Sequence, residues 1–167
     1  MHIGITGGTG LVGQAVAHHF KQLGHTVHIF TREKNPDLPF SQITWLQGTV
    51  PTELPPIDYY VHLAGASIND GRWTEKRKSI IYNSRMEATD ALIEMIQQNK
   101  IKPKAVFQAS STGIYPFSET KRYDESSEVS TDHFLARTVR DWEKRAEPLQ
   151  QLGVRTVFMR FGIVLAR

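Results

Sequence analysis

The stretch Met1-His-Ile-Gly-Ile-Thr-Gly-Gly-Thr-Gly-Leu-Val-Gly-Gln14 decides the fold. His2 to Ile5 is a short apolar run typical of a buried strand, and a glycine-rich turn follows over Thr6 to Gly10. Apolar residues then recur at the helical spacing of 3.6 residues: Leu11, Val12, Ala15, Val16, Phe20 and Leu23. Gly24 is the predicted C-cap, and His25 to Phe30 is the second predicted strand. The order strand, glycine turn, helix, strand predicts the arrangement that binds dinucleotides.

Glycines 7, 10 and 13 have separate physical roles in such a unit. Gly7 permits the tight turn after the strand, Gly10 leaves room for a pyrophosphate, and Gly13 allows close packing of the helix on the sheet. The helix N-terminus adds free N–H groups and a partial positive charge. The predicted cofactor contacts are Thr6, Gly7, Gly8, Thr9, Gly10, Leu11, Val12 and Gly13. The alternative is an α/β turn that binds nothing.

Composition narrows the class of protein. The 167 residues suffice for one domain, and 40% hydrophobic with 22% charged residues is ordinary for a globular chain. No apolar run approaches the ~18 residues of a membrane span, and no secretory signal is apparent, so no membrane partner is expected. The absence of cysteine excludes disulfides and thiol catalysis and fits a cytoplasmic protein. The mild net charge of +3, with scattered basic residues, argues against nucleic-acid binding.

The seven histidines have no zinc-binding spacing, so no metal site is predicted, and surface or structural roles are expected. His25 and His28, three apart on a predicted strand, should point to opposite faces.

The loop Thr31-Arg-Glu-Lys-Asn-Pro36 lies about 20 residues beyond the glycines, where a dinucleotide's adenosine ribose is bound. An acidic residue there would bind the 2′-hydroxyl of NAD. Thr31 and Arg32 are the nearest candidates, and Arg32 suits the 2′-phosphate of NADP because its guanidinium is planar and always charged. We therefore predict NADP as the cofactor, with NAD disfavoured. The alternative is a solvent-facing arginine beside Glu33.

Strands and helices alternate along the rest of the chain. The further predicted strands are 43–47, 57–63, 104–109 and 154–165. One helix is predicted from a Thr74 cap to about Asn99, and another from a Thr131 or Asp132 cap to about Gln151, kinked or ended by Pro148. This alternation predicts an α/β doubly wound parallel sheet, a Rossmann fold, with strand order 3-2-1-4-5-6.

Small residues follow the fourth predicted strand, at the sheet edge where ligands bind. We predict that Leu63, Ala64 and Gly65 contact the cofactor; the alternative is close helix packing. Ser84 and Arg85, within the next helix, are predicted to face the cofactor rather than water. The polar stretch 110–131 is a long loop for a compact domain, which indicates a functional or mobile segment.

Thr6 to Gly13 together with Ser110-Ser-Thr-Gly-Ile-Tyr115 resembles the extended short-chain dehydrogenase/reductase superfamily, in its NAD-dependent epimerase/dehydratase group. Further motifs are similar to a bacterial epimerase-family subgroup, some members of which carry a cell-division-inhibitor label. These motifs are 62–67, 71–74, 84–85, 134–137, 141–143 and 160–165.

The resemblance implies NADP(H) bound by Gly7, Gly10, Gly13 and Arg32, with Ala64 and Gly65 on the adenosine side. It also implies a catalytic hydroxyl at Ser111, four residues before Tyr115. That hydroxyl would bind the substrate oxygen as a hydride moves to or from nicotinamide.

The chain departs from the superfamily at the tyrosine and lysine that lie four residues apart. That lysine lowers the pKa of the tyrosine, and no tyrosine here has a lysine at this spacing. Tyr115 is the remaining candidate proton donor, and Arg137 or Arg140 a candidate charge near the site. For each of the three, a structural or surface role is the alternative.

Length is the second departure, because extended members continue into a substrate-binding region after the sixth strand. We therefore expect residues 1–167 to be an N-terminal dinucleotide-binding domain whose substrate domain is absent. The uncovered apolar surface would favour homo-oligomers.

The leading hypothesis is the NADP(H)-binding part of a nucleoside-diphosphate-sugar-epimerase-like oxidoreductase that acts on an unknown small molecule. A non-catalytic NADP(H)-binding sensor or interaction module is the second, and an α/β scaffold without a nucleotide is the third.

Overall fold

A computed structural model describes residues 1–45, 49–130 and 132–165. Within them six parallel strands form one sheet in the order β3-β2-β1-β4-β5-β6, which confirms the predicted Rossmann order. The strands are β1 His2–Thr6, β2 Thr26–Thr31, β3 Ser41–Thr44, β4 Tyr59–His62, β5 Ala105–Ser111 and β6 Arg155–Phe161. The helices are α1 Leu11–Gln22, α2 Glu75–Gln98, α3 Phe134–Arg145 and α4 Glu147–Gln151, with a 3-10 turn at Thr112–Ile114.

The strand order reverses at β1. Thr6, the last residue of β1, pairs with Phe30 of β2 on one side and with His62 of β4 on the other. The chain leaves these strands for opposite faces of the sheet, so a crevice opens at their carboxyl ends. This switch point is where the glycine turn lies.

Alternating side chains fill a core on each face of the sheet. Ile29 belongs to the cluster beneath α1, and the adjacent Phe30 belongs to the cluster beneath α2 and α4. Gly4 makes room on the second face, because a Cβ there would lie 2.7 Å from Cε1 of the buried Tyr60. Both faces are therefore covered, as an all-parallel sheet requires.

The inner face of α1 differs from the predicted one. Gly13 and Ala17 are buried and Val16 and Phe20 half-buried, whereas Leu11, Ala15 and Leu23 are exposed. Residues 13, 16, 17 and 20 follow one stripe, and positions 11 and 15 lie about 200° around the helix from Gly13. Leu23 is the cap residue and Gly24 follows it with a φ of 79°, so the predicted C-cap is one residue late, although the helix ends at this glycine as expected.

The strand boundaries differ from the predicted ones by one or two residues in most strands and by more in the third and sixth. The third strand is Ser41–Thr44, because its pairing ends where Thr44 meets Thr31, the last residue of β2. The predicted end at Gln47 lies outside the described residues. The sixth strand ends at Phe161, which pairs with Ser111 at the end of β5, so the predicted extension to Leu165 is wrong.

The start of α3 corrects another prediction. His133 caps this helix, since its Nδ1 accepts a hydrogen bond of 3.2 Å from the Ala136 amide. The predicted cap Asp132 is therefore wrong, and Thr131 lies outside the described residues. The predicted single helix ends at Arg145, and Pro148 lies in the first turn of α4, where its missing N–H is tolerated.

Exposed apolar side chains occur in the polar loop and after β6. Phe117 is 89% exposed, Ile163 92% and Leu165 87%. Self-association through such surface stays a prediction. Over the described ranges, every helix is too short or too polar to cross a bilayer.

Candidate functional site

The glycine turn leaves the start of α1 open. Gly7 has a φ of 70°, and its carbonyl accepts a 3.1 Å hydrogen bond from the Gly10 amide. Gly10 is the N-cap residue, and among the described residues no side chain caps the helix. The amides of the first turn therefore have no helical acceptor and point, with the positive end of the helix dipole, out of the turn.

At three glycines of this turn, the surroundings of the missing Cβ show what the absence of a side chain permits. A Cβ at Gly13 would lie 2.3 Å from the Gly7 oxygen and 2.6 Å from Gly8 Cα. Gly13 therefore permits close packing of α1 on the backbone of the turn. Its predicted role was close packing of the helix on the sheet. A Cβ at Gly8 would lie 2.8 Å from Ile29. At Gly10 the nearest atom would be 3.4 Å away, so this exposed side is open to a ligand.

The loop after β4 lies against the glycine turn. A Cβ on Gly7 would lie 2.8 Å from the Leu63 carbonyl carbon and 2.9 Å from the Ala64 nitrogen. Farther along, the Ala66 amide donates to Ser84 Oγ at 2.9 Å. The structure thus brings Leu63, Ala64 and the exposed Gly65 to the same crevice as the glycine turn.

A buried hydrogen-bond network fixes the two loops relative to the helices. His62 Nδ1 lies 2.7 Å from Thr6 Oγ1, and its Nε2 lies 3.2 Å from Thr89 Oγ1. Thr6 Oγ1 accepts hydrogen bonds from the amides of residues 63 and 64 at 3.2 and 3.3 Å. Trp142 Nε1 donates to Thr89 Oγ1 at 3.1 Å, which includes α3 in the network. We refer to Thr6, His62, Thr89 and Trp142 as the His62 network.

The donors and acceptors of the His62 network determine its protonation. Thr89 Oγ1 donates to the Arg85 carbonyl at 2.8 Å, so towards Trp142 and His62 it acts as an acceptor. His62 therefore carries its proton on Nε2, and Nδ1 accepts from the Thr6 hydroxyl. Burial lowers the pKa of His62 to about 3, so the ring is neutral at physiological pH. This confirms a structural role for one of the histidines.

Ser84 and Arg85 support the loop after β4. Ser84 Oγ accepts from the loop amide and donates to the Ile81 carbonyl at 3.1 Å. Arg85 Nη1 donates to the carbonyls of Ile81 and Ala66 at 2.8 and 3.2 Å. Both side chains hold the wall of the crevice, and their direct contact with a cofactor stays a prediction.

Arg32 lies at the carboxyl end of β2, beside the glycine turn. Its side chain is exposed and forms no hydrogen bond or ion pair within the described residues. Thr31 is buried, and its hydroxyl donates to the Glu33 carbonyl at 2.7 Å. Arg32 is therefore free to bind a ligand group, while Thr31 shapes the bend before it.

The carboxyl end of β5 carries Ser110 and Ser111. Ser111 Oγ accepts a 3.0 Å hydrogen bond from the Gly113 amide and caps the 3-10 turn. Ser110 is buried, and its hydroxyl donates to Glu143 Oε1. Ser111 is thus the more accessible hydroxyl of the two, at the end of β5 where it pairs with Phe161 of β6.

Sequence reasoning missed an ion pair that joins β6 to α3. Arg160 donates from Nε and Nη2 to the two oxygens of Glu143, at 2.9 and 2.8 Å. The hydrogen bond to Glu143 is the main cause that raises the pKa of Arg160. Both residues lie in motifs of the family resemblance, which was the sole signal, because their pairing depends on the fold.

The Tyr115 hydroxyl is engaged on both sides. It accepts from Arg160 Nη1 at 2.6 Å and donates to the Asp124 carbonyl at 2.8 Å. Its ring stacks on Tyr123, with centroids 5.2 Å apart. This geometry favours a structural role in fastening the polar loop. Catalysis by Tyr115 stays a prediction without a supporting contact.

The two predicted arginine charges have local partners, and the predicted place of one histidine is wrong. Arg140 pairs with Asp141 at 2.7 Å, and Arg137 Nη1 donates to the Asp132 carbonyl at 3.5 Å. His25 precedes β2, so its predicted place on a strand with His28 is wrong. Within the described ranges, no three His, Asp or Glu side chains group closely enough to hold a metal.

Comparison with known proteins places the chain among epimerase-type sequences. The model of the NAD dependent epimerase/dehydratase family matches residues 3–162. Epimerase family protein YfhF of Bacillus subtilis is 42% identical over 99% of this chain and 55% of its own length. The chain thus spans about half the length of the curated relatives it matches.

The solved structures that resemble this chain are also epimerase-type proteins. The human epimerase family protein SDR39U1, crystallised with NADPH, has a TM-score of 0.87 and 32% identity over 100% of this chain and 55% of that one. UDP-N-acetylglucosamine 4-epimerase from Bacillus cereus has a TM-score of 0.77 and 22% identity over 96% of this chain and 55% of its own, a likeness of fold.

Proposed function

The chain belongs to the NAD dependent epimerase/dehydratase family, and from this premise we propose that it is the NADP(H)-binding part of a nucleoside-diphosphate-sugar-epimerase-like oxidoreductase. The observation that carries the proposal is the uncapped start of α1 behind an open glycine turn at the switch point of the sheet. Free amides and the helix dipole at such a place favour a diphosphate.

The residues of the crevice fit the parts of a dinucleotide. The diphosphate would lie over Gly10 and the first turn of α1, where a side chain would obstruct it. The adenosine ribose would lie at the end of β2, beside Arg32. When bound, the nicotinamide would supply or accept a hydride.

We propose NADP as the preferred cofactor because Arg32 is exposed and without a protein partner in the described chain. A free guanidinium suits a 2′-phosphate through charge-assisted hydrogen bonds. The NADPH in the crystal structure of the human relative supports the same choice.

Arg32→Ala is expected to weaken NADPH binding by ~1–3 kcal/mol and to leave NADH binding nearly unchanged, because NADH has no 2′-phosphate. Isothermal titration with both cofactors measures the two affinities. Lys34→Ala removes a charge from an exposed residue of the same loop and should change neither. An equal loss for NADPH and NADH would refute the role of Arg32.

The substrate would lie at the carboxyl end of β5, near Ser111. Since Ser111 Oγ accepts from the Gly113 amide, the orientation of its proton is free for a further acceptor. That proton would donate to the substrate's carbonyl or hydroxyl oxygen and stabilise negative charge developing there.

Ser111→Ala is expected to lower turnover about 100- to 1000-fold, with little change in NADPH affinity, because the hydroxyl acts on the transition state. NADPH oxidation by a protein that spans the full length of the relatives, over a panel of carbonyl compounds and nucleoside-diphosphate sugars, provides the assay. Ser79→Ala, at an exposed position of α2, is the matched control. Turnover that survives in Ser111→Ala contradicts the assignment.

A non-catalytic NADP(H)-binding sensor or interaction module is the second candidate. Two observations favour it: the sequence has no tyrosine followed four residues later by lysine, and the Tyr115 hydroxyl is already engaged by Arg160 and the Asp124 carbonyl. Tight NADPH binding with no turnover over the whole panel would decide for this candidate.

A further inference from the structure

Two motifs of the family resemblance meet in the structure, although the proposed function uses neither. Trp73 belongs to the stretch 71–74 and Phe134 to the stretch 134–137, far apart in the sequence. Their rings lie edge to face, with centroids 5.9 Å apart and an angle of 73° between the planes. This is a favourable geometry for two aromatic rings, and it forms a continuous aromatic surface. We refer to Trp73 and Phe134 as the Trp73 platform.

Trp73 differs from the other two tryptophans in its exposure to solvent. It is 40% exposed, whereas Trp45 and Trp142 are each 5% exposed. Its indole Nε1 donates to the Ile68 carbonyl at 2.8 Å, so the one polar atom of the ring already has a partner. The exposed part of Trp73 is therefore carbon surface, which favours contact with an apolar group over a hydrogen-bonding one.

The loop that precedes α2 holds Trp73 in this exposed position. Gly71 has a φ of 81°, in the left-handed region that favours glycine, and it turns the chain just before the tryptophan. Arg77 of α2 donates from Nη2 to the Ser67 carbonyl, and the same atom lies 3.3 Å from Asp70 Oδ2. These contacts fasten the loop to the helix, so the platform is formed before any ligand arrives.

Two cations contact the platform or its loop, and each is paired with a carboxylate of the protein. Lys78 Nζ lies 5.9 Å from the centre of the Phe134 ring and 2.8 Å from Glu75 Oε1. Arg77 Nη2 forms the ion pair with Asp70. Because both charges already have a counterion, they attract an anionic ligand only weakly. The charge of the platform therefore favours an uncharged ligand group.

The platform lies at the edge of the sheet where the crevice opens. Gln108 Nε2 donates to the Trp142 carbonyl at 3.0 Å, which fixes α3 beside β5. Phe134 lies about 12 Å before Trp142 along α3, and Ser111 lies about 10 Å after Gln108 along β5. Since β5 and β6 are parallel, the helix between them runs against the direction of β5. Phe134 and Ser111 therefore lie at about the same height, at the edge where ligands bind in such sheets.

We propose that the Trp73 platform binds an uncharged ring of the substrate, and so selects substrates that carry such a ring. The ring is either an aryl group stacked on the indole or a sugar that lays its C–H face on it. That the ring belongs to the molecule at Ser111 rests on the proposed function, but ring binding by the platform does not. An acyclic substrate gains nothing from the platform, which makes Trp73 a specificity residue.

Binding of two uncharged ring probes, acetophenone and methyl β-D-glucopyranoside, tests the platform in this chain. The three tryptophans give three indole N–H signals in ¹⁵N NMR, and Trp73→Phe identifies the signal of Trp73. We expect at least one probe to shift that signal, and to shift those of the buried Trp45 and Trp142 far less. A response to acetophenone alone identifies an aryl site, and a response to the glucoside alone identifies a sugar site.

Turnover by a protein that spans the full length of the relatives gives the second readout. Trp73→Leu should raise KM for ring-bearing carbonyl substrates about 10-fold, with kcat nearly unchanged, because the ring contact is the same in the ground state and the transition state. KM for acyclic substrates should not change, and Trp73→Phe, which keeps a smaller ring, should lie between. Phe117→Leu, which removes an 89% exposed aromatic ring from the polar loop, is the matched control and should change neither constant.

NADPH titration of the same samples separates this inference from the proposed function. A ring probe that shifts the Trp73 signal in a chain that does not bind NADPH supports the platform and rejects the proposed function. A Trp73 signal that neither probe moves, with or without NADPH, rejects the platform. So does a Trp73→Leu protein whose KM rises equally for ring-bearing and acyclic substrates, or no more than that of Phe117→Leu. Should Trp73→Leu fail to fold, the NMR titration of the unmodified chain decides alone.

Discussion

Gly13→Ala is expected to weaken NADPH binding by about 100-fold or more and to lower the free energy of unfolding by about 1–3 kcal/mol. Its Cβ would lie 2.3 Å from the Gly7 oxygen and 2.6 Å from Gly8 Cα, and both are backbone atoms. The turn therefore has to move away from α1, which displaces the amides that face the ligand. Isothermal titration and urea unfolding measure the two effects.

Gly162→Ala is the matched control for Gly13→Ala. In the part of the chain that the structure describes, no atom beyond its chain neighbours lies within 4 Å of a Cβ at Gly162, and its φ lies outside the left-handed region. Its unfolding free energy should change by no more than about 0.5 kcal/mol, and NADPH binding should not change. Gly13→Ala protein that binds NADPH as the unmodified chain does would show that the turn is not the binding element.

His62→Leu is expected to lower the free energy of unfolding by about 2–4 kcal/mol, because two buried hydroxyls lose a partner. The Thr6 hydroxyl loses its acceptor and Thr89 Oγ1 loses a donor, while leucine fills a similar volume. NADPH binding should weaken as well, since the Thr6 hydroxyl also accepts from the amides of Leu63 and Ala64. His19→Leu, at an exposed position of α1, should change the unfolding free energy by at most about 0.5 kcal/mol.

The pH dependence of stability checks the same residue. The folded pKa of His62 is lowered to about 3, below the ordinary 6.5 that applies when the chain is unfolded. Between these values the unfolded chain binds the extra proton, so stability is fully present above pH 6.5 and is lost as the pH falls. The maximum slope is about 1.4 kcal/mol per pH unit.

His28 contributes in the same direction, because burial and the neighbouring His2 lower its pKa. Urea unfolding between pH 7 and 4.5 should therefore show a flatter profile in His62→Leu than in the unmodified chain, but not a level one. Equal slopes in the two proteins would mean that His62 is not buried in its neutral form.

Local sequence patterns predicted the order of the strands in the sheet and two of the turns. The alternation of short apolar runs with helical spacing gave the sheet order, and the positions of Gly7 and Gly24 gave two turns that need a positive φ. Such features depend on residues a few positions apart. They place the crevice and its glycine turn before any side-chain contact is known.

Contacts between distant residues could not be predicted in this way. Thr6 and His62 are 56 positions apart, and Glu143 and Arg160 are 17 apart on different elements. Their meeting depends on strand register and on the helix faces turned to the sheet. The same reason explains the wrong inner face of α1: Gly13 lies there because the turn packs on it, although glycine carries no apolar side chain.

Titration of NADPH and NADH against the chain tests the binding of a diphosphate by the glycine turn most directly. We expect both to bind, with NADPH tighter than NADH, and both to be weakened by Gly13→Ala but not by Gly162→Ala. A chain that is folded by circular dichroism yet binds neither dinucleotide would contradict the account.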